Sequence, residues 1–373
     1  MLRMYDRAVQ SHNKVFSRRF VTLLISTRLD CRQPKYSIWI AKPQLLEEDR
    51  VFDDGAVREH AQEYAQEYAH EQRRGHTTYL KLLLNGLFSV SWLLITSVSQ
   101  IRRLRQPKAS DERYVRPPRR FEFPETPQGL RPEPSHSRYL RATRYCNPWS
   151  PQVTAIAHSL GAHRLPDLEY AQAAFAFAKE ELTLEIAPID SVEASLERGT
   201  GTCFDLISVF IALCRAAGIP ARYKIFATEM IQTWRESVID VDPLVQKWYD
   251  SLGYFLLEGE GEAYVDGQWM VAHVGPTAKR QAAAGIPITR FGEDALGTWF
   301  HAKPGTIMRL EAIPPGLAAG SRLLHKISPG SMERINISVQ KQISRGLQVL
   351  ANAGGLEAYD QQARQTKPTD TPD

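Results

Sequence analysis

The sequence predicts a domain of mixed helices and strands in the middle of the chain, between residues 138 and 280. Apolar residues recur there at the three- and four-residue spacing of helices as far as Ala217. Beyond that point they alternate with polar residues at the two-residue spacing of strands. Gly218 and Pro220 mark the change, because glycine commonly follows the end of a helix and proline cannot continue one.

Four helices are predicted in order. The first, "SPQVTAIAHSLGA", begins with Ser150 and Pro151 in the N-cap and N1 positions. The second, "LPDLEYAQAAFAFAKEELTLEI", carries an apolar stripe. A short third helix, "SVEASLERG", ends at Gly199, and the fourth begins at Cys203. The stripe of the second helix consists of Leu168, Ala171, Phe175, Ala178 and Leu182.

The strands are predicted in "ARYKIFA" and in "EGEGEAYVDGQWMVAHV", where Asp266 and Gly267 form a two-residue hairpin turn. Loops and further strands are expected to extend this domain over residues 138–325. Residues 326–358 contain an amphipathic helix, which we expect to pack on the domain, although its basic polar face would also suit a membrane surface. Residues 359–373, rich in Gln, Thr, Pro and Asp, are predicted to be a disordered tail.

The part of the chain before the domain divides into an extension, an apolar segment and a linker. Residues 1–81 are predicted to be a partly helical extension, in which "VREHAQEYAQEYAHEQRR" has the spacing of a solvated or partner-facing helix. Residues 102–137 are basic and proline-rich, a composition that cannot build a core and indicates a linker.

Residues 82–101, "LLLNGLFSVSWLLITSVSQI", contain no charged side chain and have about the length of a membrane-spanning helix. The alternative is a buried or interfacial helix, which Asn85 and the serines of the segment favour. Arg102, Arg103 and other basic residues follow at once and would hold that end at the cytoplasmic face. The prediction is therefore membrane association with a cytoplasmic domain, or otherwise a cytoplasmic protein.

Composition narrows the functional classes. The formal net charge is only +4, and no basic stripe with interleaved aromatic residues is present, so nucleic-acid binding is not predicted. The four cysteines lie in no pattern with zinc-ligand spacing and are too few for a disulfide scaffold. We therefore predict no metal and no cofactor, and a reducing compartment or unpaired thiols.

Cys203 is the strongest candidate for chemistry on physical grounds. A cysteine in the first turn of a helix meets the positive end of the helix dipole and free backbone N–H groups, both of which favour the reactive thiolate. Gly199 and Gly201 before it would let a substrate carbonyl approach the backbone, where N–H groups could bind an oxyanion. The alternative is a small buried residue after an ordinary loop. Cys214, further along the same helix, is expected to pack in the core.

The stretch "LERGTGTCFDLISVFIALCRAAGIPARYKIFA" resembles the core of the transglutaminase-like superfamily, which includes transglutaminases, related cysteine peptidases and peptide N-glycanases. The resemblance centres on Cys203, on Arg215 and on residues 218–222, and it covers roughly residues 138–280. It implies an α+β, papain-like fold in which the cysteine helix packs on an antiparallel sheet. It also implies a Cys-His-Asp triad and a peptide or other amide as substrate.

The chain departs from the family where the other two triad residues should be. The position that matches the family's histidine holds Glu258, and the position that matches its aspartate holds His273. The turn at residues 266–267 predicts that His273 lies opposite Glu260, with Glu258 diagonal to it on the same face. An imidazole and two carboxylates would then share one face of the hairpin. The alternative is a half-exposed polar strand face without function.

Two functions are compatible with these residues. The first is a cysteine hydrolase or acyltransferase with an atypical triad, in which Cys203 forms a thioester and His273, oriented by Glu260 or Glu258, moves the proton. His301 and His325 are the other histidines that follow the cysteine. The second is a catalytically degenerate binding or scaffold module, tethered by residues 82–101. Both follow from the resemblance, and thiol reactivity is expected to separate them.

Overall fold

The computed structural model describes most of the domain and part of the apolar segment before it. The described residues are 113–125, 135–294, 301–303 and 305–365, together with residues 77–99 with gaps. Most of the predicted N-terminal extension and of the proline-rich linker lies outside them.

Helices form the first half of the domain, as predicted. Helix α1 is Pro151–Ser159, with the Ser150 side chain accepting from the Val153 N–H at its N-cap. Helix α2 is Asp167–Ala176 and continues as a π-helical turn, Phe177–Glu181. Helix α3 is Val192–Arg198. Two short parallel strands, β1 (Thr183–Leu184) and β2 (Thr200–Gly201), flank α3.

Helix α4, Cys203–Ala216, is the centre of the core, and nearly every side chain from Phe204 to Arg215 is buried. The guanidinium of Arg215 is fully buried and donates to three backbone carbonyls, those of Ala221, Arg141 and Glu311, at 2.8–3.1 Å. The helix is thereby connected to the strand after it, to the loop before α1 and to the C-terminal half of the domain.

The main sheet is antiparallel and packs on α4. Its long strands are β3 (Ala221–Glu229), β4 (Phe255–Val265) and β5 (Gln268–Ala272), and two short strands, β6 (His301–Ala302) and β7 (Met308–Leu310), both pair with β3. The order is β5-β4-β3-β6. The α+β class is thus confirmed, with the cysteine helix on an antiparallel sheet.

The alternation of glycine and glutamate in β4 follows from its two neighbours. A side chain on Gly261 would lie 2.7 Å from Phe210 of α4, and one on Gly259 would lie 3.0 Å from Phe204. Only glycine lets the helix come this close to the strand. The glutamates project to the opposite face, where the other half of the structure covers Glu260 and Glu262 completely.

A helical insertion separates β3 from β4, where the sequence analysis assigned no element. It consists of the single turn α5 (Gln232–Trp234), a π-helical turn (Arg235–Ile239) and α6 (Pro243–Leu252). Helix α6 has the end signals expected of a helix, with Asp242 as N-cap and Gly253 in the left-handed conformation after its last turn.

Where the structure describes the chain after the hairpin, it contains the helices α7 (Ala278–Ala283), α8 (Pro315–Ile327), α9 (Pro329–Asn352) and α10 (Leu356–Gln365). The apolar stripe of α9 is buried against Leu184, so this helix packs on the domain as expected. Helix α10 lies partly within the range predicted to be disordered. Its Tyr359 and Ala363 are buried, because they pack against α7.

The described residues between 80 and 99 are helical apart from Ser97, which lies in a turn. Among the described parts of the chain, no helix is both long enough and apolar enough to cross a membrane.

Candidate active site

Cys203 is the first residue of α4, and the loop before it forms a complete capping box. The Thr202 hydroxyl accepts from the Asp205 N–H, while the Asp205 carboxylate accepts from the Thr202 N–H at 2.8 Å. The Phe204 N–H donates to the Cys203 sulfur. Of the N–H groups at this helix end, the one on Cys203 itself is left to face a bound group.

The glycines before Cys203 have structural causes rather than the substrate approach that the sequence suggested. Gly199 has a φ of 70° and closes α3 in the left-handed conformation. A side chain on Gly201 would lie 2.6 Å from the Asp205 Cβ, so this position is glycine because the capping carboxylate packs on it.

Glu258 is the ionisable group beside the thiol. A side chain on Gly275 would lie between Glu258 and Cys203, 3.3 Å from the Cys203 Cβ and 3.8 Å from Glu258 Oε1. Burial raises the pKa of the Cys203 thiol well above its ordinary value, and the charges of Glu258 and Asp205 raise it further. The expectation that the helix end lowers this pKa is therefore wrong, because burial and two acids outweigh the dipole.

The same burial acts on the acids. It raises the pKa of the Glu258 carboxyl, although the nearby His273 and Arg280 oppose this shift. It also raises the pKa of Asp205 to about 6, despite the hydrogen bonds that this carboxylate accepts from backbone N–H groups. The ground state therefore pairs a neutral thiol with a carboxyl whose pKa lies above its ordinary value.

His273 lies where the hairpin turn predicted it. Strand pairing runs from Val265–Gln268 to Gly261–Ala272, and this confirmed register brings His273 opposite Glu260. The His273 Nδ1 is 3.2 Å from Glu260 Oε1, and Lys224 Nζ is 3.0 Å from Glu260 Oε2. His273 and Glu260 are both fully buried, so the reading as a half-exposed strand face is wrong for this pair.

Electrostatics keep this buried chain charged. Burial opposes ionisation of Glu260, but His273 and Lys224 together hold the pKa of its carboxyl below the ordinary value. Burial likewise opposes the charge on Lys224, and Glu260 and Asp294 hold the pKa of this ammonium above its ordinary value. Glu258 connects the chain to Cys203, since it interacts electrostatically with both His273 and the thiol.

The structure adds two cationic residues that the sequence analysis did not single out. Arg280 of α7 is buried near both Glu258 and Cys203, and its Nε donates to Gln342 Oε1 of α9 at 3.2 Å. Burial lowers the pKa of Arg280 to about 10, which leaves it charged at neutral pH. Lys179, in the π-helical turn after α2, donates to the backbone carbonyl of His273 at 3.0 Å. A lysine within the apolar pattern "FAFAKEEL" was the available signal for the second residue.

The other two histidines lie on other elements. His301 is in β6, which pairs with the end of β3 at the opposite edge of the sheet from β5. His325 is in the last turn of α8.

Residues 154–272 match the family model described as the transglutaminase-like superfamily. These residues form a transglutaminase-like domain. The match includes Cys203, Glu258 and Glu260 and ends one residue before His273. The suspected superfamily is thereby confirmed.

Similarity of the transglutaminase-like domain to solved structures is distant. One similar structure is a crystal structure from Cytophaga hutchinsonii, provisionally described as a cysteine protease, with 18% sequence identity and a TM-score of 0.27. The alignment covers 46% of this chain and 51% of that one, so the chain spans about half of its length. The search of the curated proteins found no match.

Proposed function

We propose that the transglutaminase-like domain is a cysteine enzyme that acts on amide bonds through a thioester on Cys203. The observation that carries this proposal is the placement of the Glu258 carboxyl beside the Cys203 thiol at the start of a helix, where burial and the charge of Glu258 raise the pKa of the thiol. Glu258 stands at the position of the family's histidine. We therefore assign proton transfer to Glu258 rather than to His273.

The cost of burying so many charges supports a catalytic role. Ionisable side chains lose hydration when they are buried, and such groups concentrate at sites where chemistry requires them. Here Glu260, Lys224 and Arg280 are all buried, and Arg280 interacts with both Glu258 and the Cys203 thiol. A module that only maintained its fold would be at least as stable with apolar residues in these positions.

The reaction begins when the Cys203 sulfur attacks the amide carbon while its proton passes to Glu258. The oxyanion that forms would accept a hydrogen bond from the Cys203 N–H. Collapse of this tetrahedral intermediate breaks the C–N bond, and the amine leaves with the proton from Glu258. Water or a second amine then attacks the thioester, gives its proton to Glu258, and releases the thiol. Arg280 stabilises the negative charge that passes between sulfur and carboxylate.

His273 and Glu260 act behind this pair as positioning residues. With Lys224 they form a buried chain of ionisable groups, and His273 at its end interacts with Glu258. A positive imidazolium there would favour the ionised form of Glu258, the form that can accept the thiol proton.

Glu258→Gln tests this assignment, because its two effects oppose each other. Removal of the negative charge should lower the pKa of Cys203, so that iodoacetamide alkylates this thiol faster near pH 7 than in the unmodified protein. Turnover of fluorogenic peptide amides, or transfer to a fluorescent amine, should nevertheless fall by about 10²–10⁴-fold, as loss of a general base does. Cys203→Ala sets the background and Cys214, buried in the same helix, is the internal alkylation control.

Three outcomes would contradict the proposed function. Glu258→Gln with full turnover would exclude Glu258 as the base. Loss of turnover only in His273→Asn would restore the histidine to that role. If the unmodified protein hydrolyses no amide faster than Cys203→Ala does, and its Cys203 thiol is unreactive, the enzyme proposal is wrong.

The alternative is a binding module that has kept the fold without catalysis. The raised pKa of Cys203 favours it, because an unactivated thiol is a poor nucleophile. In that case Cys203→Ala should bind peptide ligands as tightly as the unmodified protein does, which isothermal titration calorimetry would measure.

A further inference from the structure

The helical residues between 80 and 98 expose large apolar side chains along one side, while Leu82 on the other side is buried in the core. Seven large apolar side chains are exposed to 44–73% of their area. Their spacing of mainly three and four residues keeps them within one arc of the helix. They are Leu80, Leu84, Leu87, Phe88, Trp92, Ile95 and Val98. We call this set the outer apolar face.

The inward side of the same helix contacts α6 through polar groups. The Ser89 hydroxyl is hydrogen-bonded with that of Ser251 at 2.7 Å, and Lys247 Nζ donates to the Ser97 hydroxyl at 2.6 Å. Ser89 and Ser97 are both buried.

An exposed row of large apolar side chains suits a hydrocarbon environment. In lipid, polar side chains turn toward the protein interior and apolar side chains face outward. The outer apolar face also exceeds the single scattered hydrophobic residues that are ordinary on a surface, and such patches mark interaction sites.

The charged residues that follow this helix in the sequence indicate which apolar environment the outer apolar face contacts. Residues 82–101 contain no charged side chain, whereas Arg102, Arg103, Arg105 and Lys108 follow directly. Basic residues beside an apolar helix bind the anionic headgroups at a bilayer surface. An apolar protein partner would not require this cluster.

We propose that the outer apolar face docks on an anionic phospholipid bilayer and holds the protein at its surface. The helix would lie in the interface with Phe88, Trp92 and Ile95 among the acyl chains. This proposal does not depend on the activity of Cys203, and it requires contact with one leaflet rather than a membrane span.

Sedimentation of the full chain with vesicles tests the proposal. We expect binding to vesicles of phosphatidylcholine with phosphatidylserine, weaker binding to phosphatidylcholine alone, and loss of the difference at high salt. Phe88→Ser combined with Ile95→Ser should weaken binding by at least about tenfold. Val115→Ser is the matched control, because Val115 is 72% exposed but lies outside this helix; it should bind as the unmodified protein does.

A second measurement needs no change to the apolar face. Brominated lipid should quench the fluorescence of Trp92, seen as the difference between the unmodified protein and Trp92→Phe. Equal vesicle binding by the double variant, equal binding to neutral and anionic vesicles, or no quenching of Trp92 would overturn the proposal. So would self-association that depends on the outer apolar face without vesicle binding, since the face would then bind a second copy of the chain.

Discussion

Replacing Lys179 with methionine should change how the free energy of unfolding depends on pH. Lys179 is fully buried, and burial lowers its pKa from 10.5 to about 7. The unfolded chain therefore holds a proton, between about pH 7 and pH 10.5, that the folded protein lacks. Stability must rise with pH through this window, because raising the pH favours the state with fewer bound protons.

The magnitude follows from the two pKa values. One proton changes the free energy of unfolding by about 1.4 kcal/mol per pH unit where its binding differs fully between the two states. At about pH 7 the folded protein is still half protonated at Lys179, so the two states differ by only half a proton there. The free energy of unfolding therefore rises by on the order of 2 kcal/mol between about pH 7 and 9. Methionine has a similar volume and no charge, so it removes this slope. At pH 7 we expect Lys179→Met to be at least as stable as the unmodified protein, although the bond to the His273 carbonyl is lost.

Urea denaturation of both proteins at several pH values between these limits measures the effect. The difference between the two free energies of unfolding is the relevant quantity, since the other titrating groups are common to both and cancel. A difference that stays constant to within about 0.5 kcal/mol across the window would refute the argument and show that Lys179 remains charged in the folded state.

Three further changes have defined outcomes. Gly275→Ala should place a methyl group between Cys203 and Glu258 and reduce both turnover and alkylation of the thiol, with unchanged circular dichroism. Arg222→Ala should cost roughly 3–5 kcal/mol in urea denaturation, because it leaves the buried Glu262 without its 2.6 Å partner. Gly346→Ala should prevent close packing of α9 on α7, where the methyl group would overlap a backbone carbonyl oxygen, and should lower the melting temperature despite alanine's higher helix propensity.

Each of these has an outcome that would contradict it. Full activity in Gly275→Ala would show that the thiol and Glu258 do not need to meet. A cost below about 1 kcal/mol for Arg222→Ala would mean that Arg309, 3.4 Å from Glu262, can replace the lost partner. An unchanged melting temperature for Gly346→Ala would show that α7 and α9 can separate without cost.

Features set by neighbouring residues were predictable from the sequence. The Asp266-Gly267 turn fixed the strand register, and that register brought His273 to Glu260. Ser150 likewise marked the start of α1, because capping involves groups only a few residues apart. The insertion between β3 and β4 was missed although Asp242 and Gly253 have the signals of helix ends.

Features set by tertiary packing were not predictable in the same way. Arg280 comes from a helix beyond the hairpin, and no local pattern places it near Cys203. The acidity of the thiol depends on how closely other elements cover it, so the helix dipole alone gave the wrong direction. Gly201 is different, because the Asp205 side chain that packs on it belongs to a local capping box, whose pattern of Thr202 and Asp205 was present in the sequence.

The buried Arg215 has a consequence for how the chain folds. Its three carbonyl partners come from Arg141, Ala221 and Glu311, segments that span much of the described sequence. A guanidinium without water or partners is costly, so a partly folded state that has formed α4 but lacks either distant segment must leave this charge hydrated. The core around α4 can therefore close only when both distant segments are in place. This requirement couples early and late parts of the chain into one cooperative transition and makes such long-range closure a slow step.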